Sequence, residues 1–170
     1  MSIVVFFVYL HDFLGLSMEK IVLIGCLILC LFGCSQQEKD TTLLHREFFE
    51  TMWERFDYVQ NNIEVKSETS YDLSLKIAFT NNYPYNDFSM VFTVFTSDGE
   101  PYRSKGYKFN LKDKEGNWNV ENKEGCYTFV LPINKDLRIV DAGTYTFQIE
   151  NRMPITPLVG VKELTLLNNK

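Results

Sequence analysis

The chain has 170 residues, of which 45% are hydrophobic, 23% charged and 15% aromatic, and it carries a formal net charge of -5. That mild acidity, with no basic stripe, excludes the electrostatic footprint of a nucleic-acid-binding protein. Two histidines and four cysteines leave little material for a metal or redox centre, and the length accommodates one domain but scarcely two.

The first feature in chain order is IVLIGCLILCLFG, thirteen uninterrupted apolar residues from Ile21 to Gly33. Crossing the roughly 30 Å hydrocarbon layer as a helix takes about 20 residues, so this run is too short. Extending it back through IVVFFVYL would bury His11 and Asp12, and a central Asp costs about 2.5–3.5 kcal/mol. The run instead fits the apolar centre of a secretory signal, which spans about 7–15 residues. A signal opens with positive charge. Met18-Glu19-Lys20 supplies one and the stretch after Met1 does not, so translation is expected to begin at Met18.

The tetrad LFGC, Leu31 to Cys34, resembles the bacterial lipobox, in which a small residue precedes a cysteine that is acylated and becomes the mature N-terminus. The expected organisation is a signal peptide over 1–33, a lipidated Cys34 opening a flexible tether over 34–45, and a folded domain over 46–170. Each buried methylene contributes about 0.8 kcal/mol; one acyl chain holds marginally and two hold stably, so a diacylated or triacylated Cys34 keeps the protein on its membrane.

Removal of residues 1–33 takes Lys20, Asp12 and Glu19 and leaves 16 basic against 20 acidic residues. Cys26 and Cys30 leave with the signal and Cys34 is spent on lipid, so Cys126 in GCYTFVL has no disulfide partner and reads as a small buried apolar residue.

In HREFFETMWERFDYV the side chains Phe48, Phe49, Met52, Trp53 and Phe56 fall at helical spacing, while an extended path through residues 46–60 is equally open. Beyond residue 62 the period becomes two. In YDLSLKIAFT the residues Tyr71, Leu73, Leu75, Ile77 and Phe79 alternate with smaller or polar ones, as in a half-buried antiparallel strand. FSMVFTVFTS is apolar on both faces, as a central strand would be, and Ser97-Asp98-Gly99 turns it into YKFNL, with Tyr107, Phe109 and Leu111 inward. Turns at Lys114–Asn117, Lys123–Gly125 and Asp141–Gly143 separate CYTFVLP, LRIV and TYTFQIE, the last with Tyr145, Phe147 and Ile149 on one face. VKELTLL closes the domain on Leu164 and Leu166. Strands at intervals of about ten residues with no helix between them predict an all-β fold, a single antiparallel β-sandwich of immunoglobulin-like type with seven to nine strands.

Catalysis is not expected. His45 sits at the end of the tether, a poor place for a general base, and zinc would find only His45 and Cys126 as nitrogen or sulfur ligands. The acidic residues between Asp98 and Asp141 lie mostly at turns, and there is no phosphate-cradling glycine loop. No cofactor, metal or small-molecule substrate is therefore expected. The aromatic residues Tyr83 and Tyr85 around Pro84, and Trp118 beyond the KEGN turn, have two readings. They serve as a loop platform for partners or sugars, or they plug the end of the sandwich core.

W-x-R-x-D as Trp53, Arg55 and Asp57, followed in order by NNYPYNDFSMVFTVFTSDGE, DKEGNW and AGTYTFQIENRM, resembles the gliding-motility lipoprotein H (GldH) family of Bacteroidetes from residue 53 to about residue 162. The resemblance implies an envelope lipoprotein, required for gliding in some species and linked there to type IX protein secretion, with relatives in bacteria that do not glide. It implies protein partners in that machinery and carries over no catalytic residues. Trp53, Tyr83, Tyr85 and Trp118 are the candidate partner-binding residues. The alternative is a surface lipoprotein that binds glycans through Tyr83, Tyr85 and Trp118. Ser35, where an acidic residue would signal inner-membrane retention, points to the outer membrane; Gln36 to Asp40 leave periplasm-facing and surface-facing placements open.

The anchor is tested by metabolic labelling. Labelled palmitate is expected on the protein and absent from Cys34→Ala, which should move to the soluble fraction; an unlabelled wild-type protein in the soluble pool would exclude the lipid anchor.

Overall fold

A computed structural model of the protein describes residues 42–170; the expected signal peptide, Cys34 and most of the tether lie outside the described residues. In chain order the elements are β1 (Thr42–Glu47), a 3-10 turn (Phe49–Thr51), β2 (Met52–Trp53), β3 (Val59–Val65), β4 (Thr69–Thr80), β5 (Asp87–Phe95), β6 (Pro101–Asn110), β7 (Asn122–Lys123), β8 (Cys126–Ile139), β9 (Gly143–Asn151), β10 (Leu158–Val159) and β11 (Val161–Asn168). Eight of the strands have six residues or more, within the expected seven to nine.

Two antiparallel sheets enclose one core. The first has the order β1-β11-β4-β8-β7, the second β3-β9-β5-β6, and a short ribbon pairs β10 with β2. Period-two burial is the cause. On β4, Tyr71, Leu73, Leu75, Ile77 and Phe79 are buried and face Phe88, Met90, Phe92 and Val94 of β5 and Tyr145, Phe147 and Ile149 of β9 in a single hydrophobic cluster. Ring contacts tie the layers together: Tyr71 meets Phe147 at 5.5 Å and Phe79 meets Phe88 at 5.7 Å, both edge to face. Each such ring contributes about 1.5–3 kcal/mol by burial alone.

The pairings β4–β8 and β5–β9 are the B–E and C–F pairings of an immunoglobulin sandwich. A tyrosine corner marks the same plan: Tyr145, at the start of β9, donates its hydroxyl to the Asp141 carbonyl at 3.1 Å. The ends of the chain depart from it. β11 lies between β1 and β4, and β3 takes the place beside β9 that the last strand holds in an immunoglobulin domain.

Two local expectations are corrected and one open alternative is decided. Thr42–Glu47 is a strand, paired with β11 from Thr42 opposite Leu167 to Glu47 opposite Glu163, so the folded body includes residues assigned to the tether. The helical spacing of residues 48–56 yields only a three-residue turn: Phe48 and Trp53 enter the core with rings 4.9 Å apart, while Phe49 and Phe56 are 83% and 71% exposed. Glu50, Thr51 and Phe56 have positive φ, a left-handed conformation that cannot propagate a right-handed helix. Third, CYTFVLP and LRIV form one fourteen-residue strand, β8, with register shifts opposite Tyr71–Ser74. β7 covers only Cys126 and Tyr127, so Pro132 lies where β8 is an open edge and no second partner needs its missing N–H.

The turns match expectation, with positive φ at Gly99, Gly116 and Gly125. Gly160 has a different reason to be glycine: at φ +86 a Cβ would lie 2.5 Å from the Tyr83 backbone nitrogen. Gly160→Ala is therefore expected to cost roughly 2–5 kcal/mol, overpacking added to a left-handed alanine, whereas Gly116→Ala, with open space around it, should cost only about 1–2 kcal/mol. Urea unfolding of the two variants checks the difference.

Candidate functional site

The four aromatic residues singled out in the sequence fall into two groups. Trp53 lies at the β2 end of the core with no exposed surface, its indole Nε1 donating to the Asp57 carbonyl at 2.7 Å and its ring 6.2 Å from Phe88. Tyr83, Tyr85 and Trp118 come together with Phe79, Tyr127 and Phe129 at one end of the sandwich.

Local sequence explains how this end is built. Asp113 begins an Asx turn: its carboxylate accepts the Asn117 backbone N–H at 2.8 Å and the Asn117 side chain at 3.1 Å. Those bonds, the backbone one first, hold its pKa below the ordinary carboxylate value. Gly116 at φ +88 completes the turn, and Trp118 bridges to Lys112 across it. The indole then stacks on Tyr127 at 4.2 Å and 11°. The Lys112 ammonium lies 4.5 Å from the indole centroid and also donates to the Tyr83 carbonyl at 3.3 Å. A parallel ring at 4.2 Å leaves no room for an ammonium on the same side, so both faces of Trp118 are taken.

Tyr83 is 1% exposed and donates its hydroxyl to the Asp87 carbonyl at 2.7 Å. Trp53 and Tyr83 thus offer no surface for a partner. Tyr85 and Trp118 are half-buried against the core, and the arrangement is that of a plug in the sandwich end, the second of the two readings.

Cys126 is buried and unpaired. His45 is not on a mobile lead-in: it belongs to β1, with Nδ1 2.8 Å from the Thr165 hydroxyl. Among the described residues, His45, Glu47 and Glu163 form the grouping with metal-ligand chemistry, their ligand atoms lying within 4.8 Å of one another. The sequence carried half of that signal. His45-x-Glu47 places two ligands on one face of a strand, but Glu163 joins them only through the β1–β11 register.

Large apolar side chains remain at the surface where the β2–β10 ribbon leaves the sheets. Phe49, Phe56, Ile155 and Val159 all lie in the segments this ribbon joins, which the Arg55 N–H further ties together by donating to the Thr156 hydroxyl at 2.9 Å. Glu50, Thr51 and Phe56 in this segment have positive φ, so the exposed rings are carried on a strained loop.

Fold and surface define a β-sandwich domain whose aromatic residues are largely committed to its own core. The chain belongs to the GldH lipoprotein family: the family model matches residues 44–166, from β1 to β11. This is a lipoprotein family, membrane-anchored as such, and not a known enzyme family. No helix among the described residues is long and apolar enough to cross a membrane. No curated protein sequence matches the chain. Among solved structures it is similar to part of a ruminal GH26 endo-beta-1,4-mannanase, with a TM-score of 0.37 and 12% identity over 71% of this chain. The matched part spans 19% of that enzyme, and the likeness carries no functional argument.

Burial pushes the Tyr83 phenol far above its ordinary pKa, with the Asp87 and Tyr85 charges adding to it. The folded state therefore holds this proton more tightly than the unfolded chain, whose tyrosines titrate near about pH 10. The corresponding stability is whole below that pH and is lost as the pH rises above it. Tyr83→Phe should cost about 1–2 kcal/mol at neutral pH, from the unmet Asp87 carbonyl, and flatten the decline of stability between about pH 9.5 and 11.5. Urea titrations across that range measure both effects; an unchanged alkaline slope would contradict the assignment.

Proposed function

We propose that the protein is a non-catalytic outer-membrane lipoprotein that supports a cell-envelope machine for gliding motility or type IX protein secretion through protein contacts. The observation that carries this reading is the family match across the whole sandwich, joined to the LFGC tetrad immediately before a polar tether. The anchor keeps the domain at the membrane and the sandwich presents surfaces to neighbouring envelope proteins.

The exposed apolar side chains beside the β2–β10 ribbon are the contact surface this reading favours. Phe49, Phe56 and Ile155, at 83%, 71% and 61% exposure, are apolar groups of the size that anchors protein interfaces. They replace Trp53 and Tyr83, which the core has absorbed. Glycan binding finds less support, because the indole best suited to stack on a sugar already carries Tyr127 and Lys112.

The test is genetic. Deletion of the gene should impair secretion through the type IX system, and motility in a gliding host. Complementation with the wild-type chain should restore both. A Phe49→Ser/Phe56→Ser/Ile155→Ser chain, lipidated and folded, should not. Normal secretion, motility and envelope integrity in the deletion strain would refute the role, and full rescue by the triple variant would move the contact surface elsewhere.

A further inference from the structure

His45 and Glu47 are two residues apart on β1, and because Leu44 between its neighbours points into the core, they project outward together. On the adjoining strand, Glu163 is the direct partner of Glu47 and Thr165 the direct partner of His45. The four side chains make a block on the outer face of the first sheet.

Two carboxylates directly opposite each other across an antiparallel ladder repel and destabilise the pairing. Some acidic side chains of the domain are paired, Asp57 with Arg46, Glu68 with Arg138, Asp87 with Lys108 and Glu150 with Arg152, while solitary ones such as Glu64, Asp98 and Glu124 are not set opposite a second carboxylate in a ladder. Among the described residues Glu47 has only His45 Nε2, at 3.9 Å, and Glu163 has no lysine or arginine within ion-pair distance. The block joins two carboxylates that make no ion pair with a lysine or arginine among the described residues; Lys76, opposite Thr165 on β4, is the cation that shares this face.

The histidine is oriented for a ligand's role. Nδ1 lies 2.8 Å from the Thr165 hydroxyl and Nε2 faces the Glu47 carboxylate at 3.9 Å, so in the tautomer whose Nδ1–H donates to Thr165 the Nε2 lone pair is free for an ion held between imidazole and carboxylate. An outer partner on one ring nitrogen that fixes the tautomer and frees the other nitrogen is the usual support of a metal-binding imidazole. The three ligand atoms lie within 4.8 Å of one another. Bonds of about 2.0–2.2 Å to a tetrahedral ion bring ligand atoms to roughly 3.3 Å, a closure within reach of glutamate rotamers at a surface.

We propose that His45, Glu47 and Glu163 form a divalent transition-metal site of the zinc class, with water completing the coordination. One imidazole nitrogen with two carboxylate oxygens favours zinc over calcium or magnesium, which select all-oxygen cages. The ion would join β1, an edge strand with a single ladder, to β11. β1 is the strand that the N-terminal segment enters, so the ion reinforces the pairing that would bear any pull from an anchor at Cys34. The site stands independently of the proposed secretion role.

The experiment is calorimetric and thermal titration of the purified, detergent-solubilised protein with zinc chloride, with calcium and magnesium chlorides as controls. The expected result is one equivalent of zinc bound, a rise in Tm with zinc, and no rise with calcium or magnesium. His45→Gln, Glu47→Gln and Glu163→Gln should each weaken zinc binding at least about tenfold. Glu163→Gln should also melt, without metal, at or above the wild-type temperature, since it removes one of two opposed charges; this reading shows that the variant is folded. No zinc binding up to about 1 mM, or a loss smaller than tenfold in any of the three variants, overturns the site.

Discussion

The alternate burial of side chains along β4 is the constraint to which the rest of the domain answers. β4 is hydrogen-bonded to β11 on one side and β8 on the other, and its inward residues from Tyr71 to Phe79 meet β5 and β9 across the sandwich. A slip of one residue would turn five large apolar side chains to solvent and place Asp72 and Lys76 in the core. Register along β4 therefore sets register in both neighbours, and β11 in turn sets that of β1.

That dependence explains why the aromatic residues are so many and so few of them are free. A sandwich of two twisted sheets leaves open ends, and here two adjoining clusters of rings close one of them: Phe48 and Trp53 near β2, joined through Phe88 to Tyr83, Tyr85 and Trp118 around Phe79. The close approach of Gly160 to the Tyr83 backbone locks the second cluster onto the start of β11. Once these rings satisfy the core, the residues left for contact are the ones that helical spacing had grouped with them. Phe49 and Phe56 are turned outward by a loop with left-handed residues. The family match runs across the same body, from β1 to β11.

Much of the fold was legible because period two is a local property. The burial of Tyr145, Phe147 and Ile149, the central place of β5, and the glycine turns at Gly99, Gly116 and Gly125 all follow from residues within a few positions of one another. The errors have the opposite character. β1 looked like tether because its residues become a strand only against β11, more than a hundred positions away. β8 was divided at Pro132 because a proline is tolerated in a strand only when one side is an open edge, which depends on how short β7 is. Between Phe48 and Phe56 the sequence left helical and extended paths both open, and two core-bound rings with three positive-φ residues decided against a helix.

The amino-acid order alone determined the all-β class, the places where the chain turns, and the apolar run ending in LFGC, because each depends on which residues are near neighbours along the chain. Tertiary structure decided which strands pair, whether Trp53 and Tyr83 face core or solvent, and that Glu163 stands opposite Glu47 beside His45. Alternation tells which face a side chain occupies and says nothing about the strand beside it. Partners distant in sequence are chosen by the cooperative burial of a whole core.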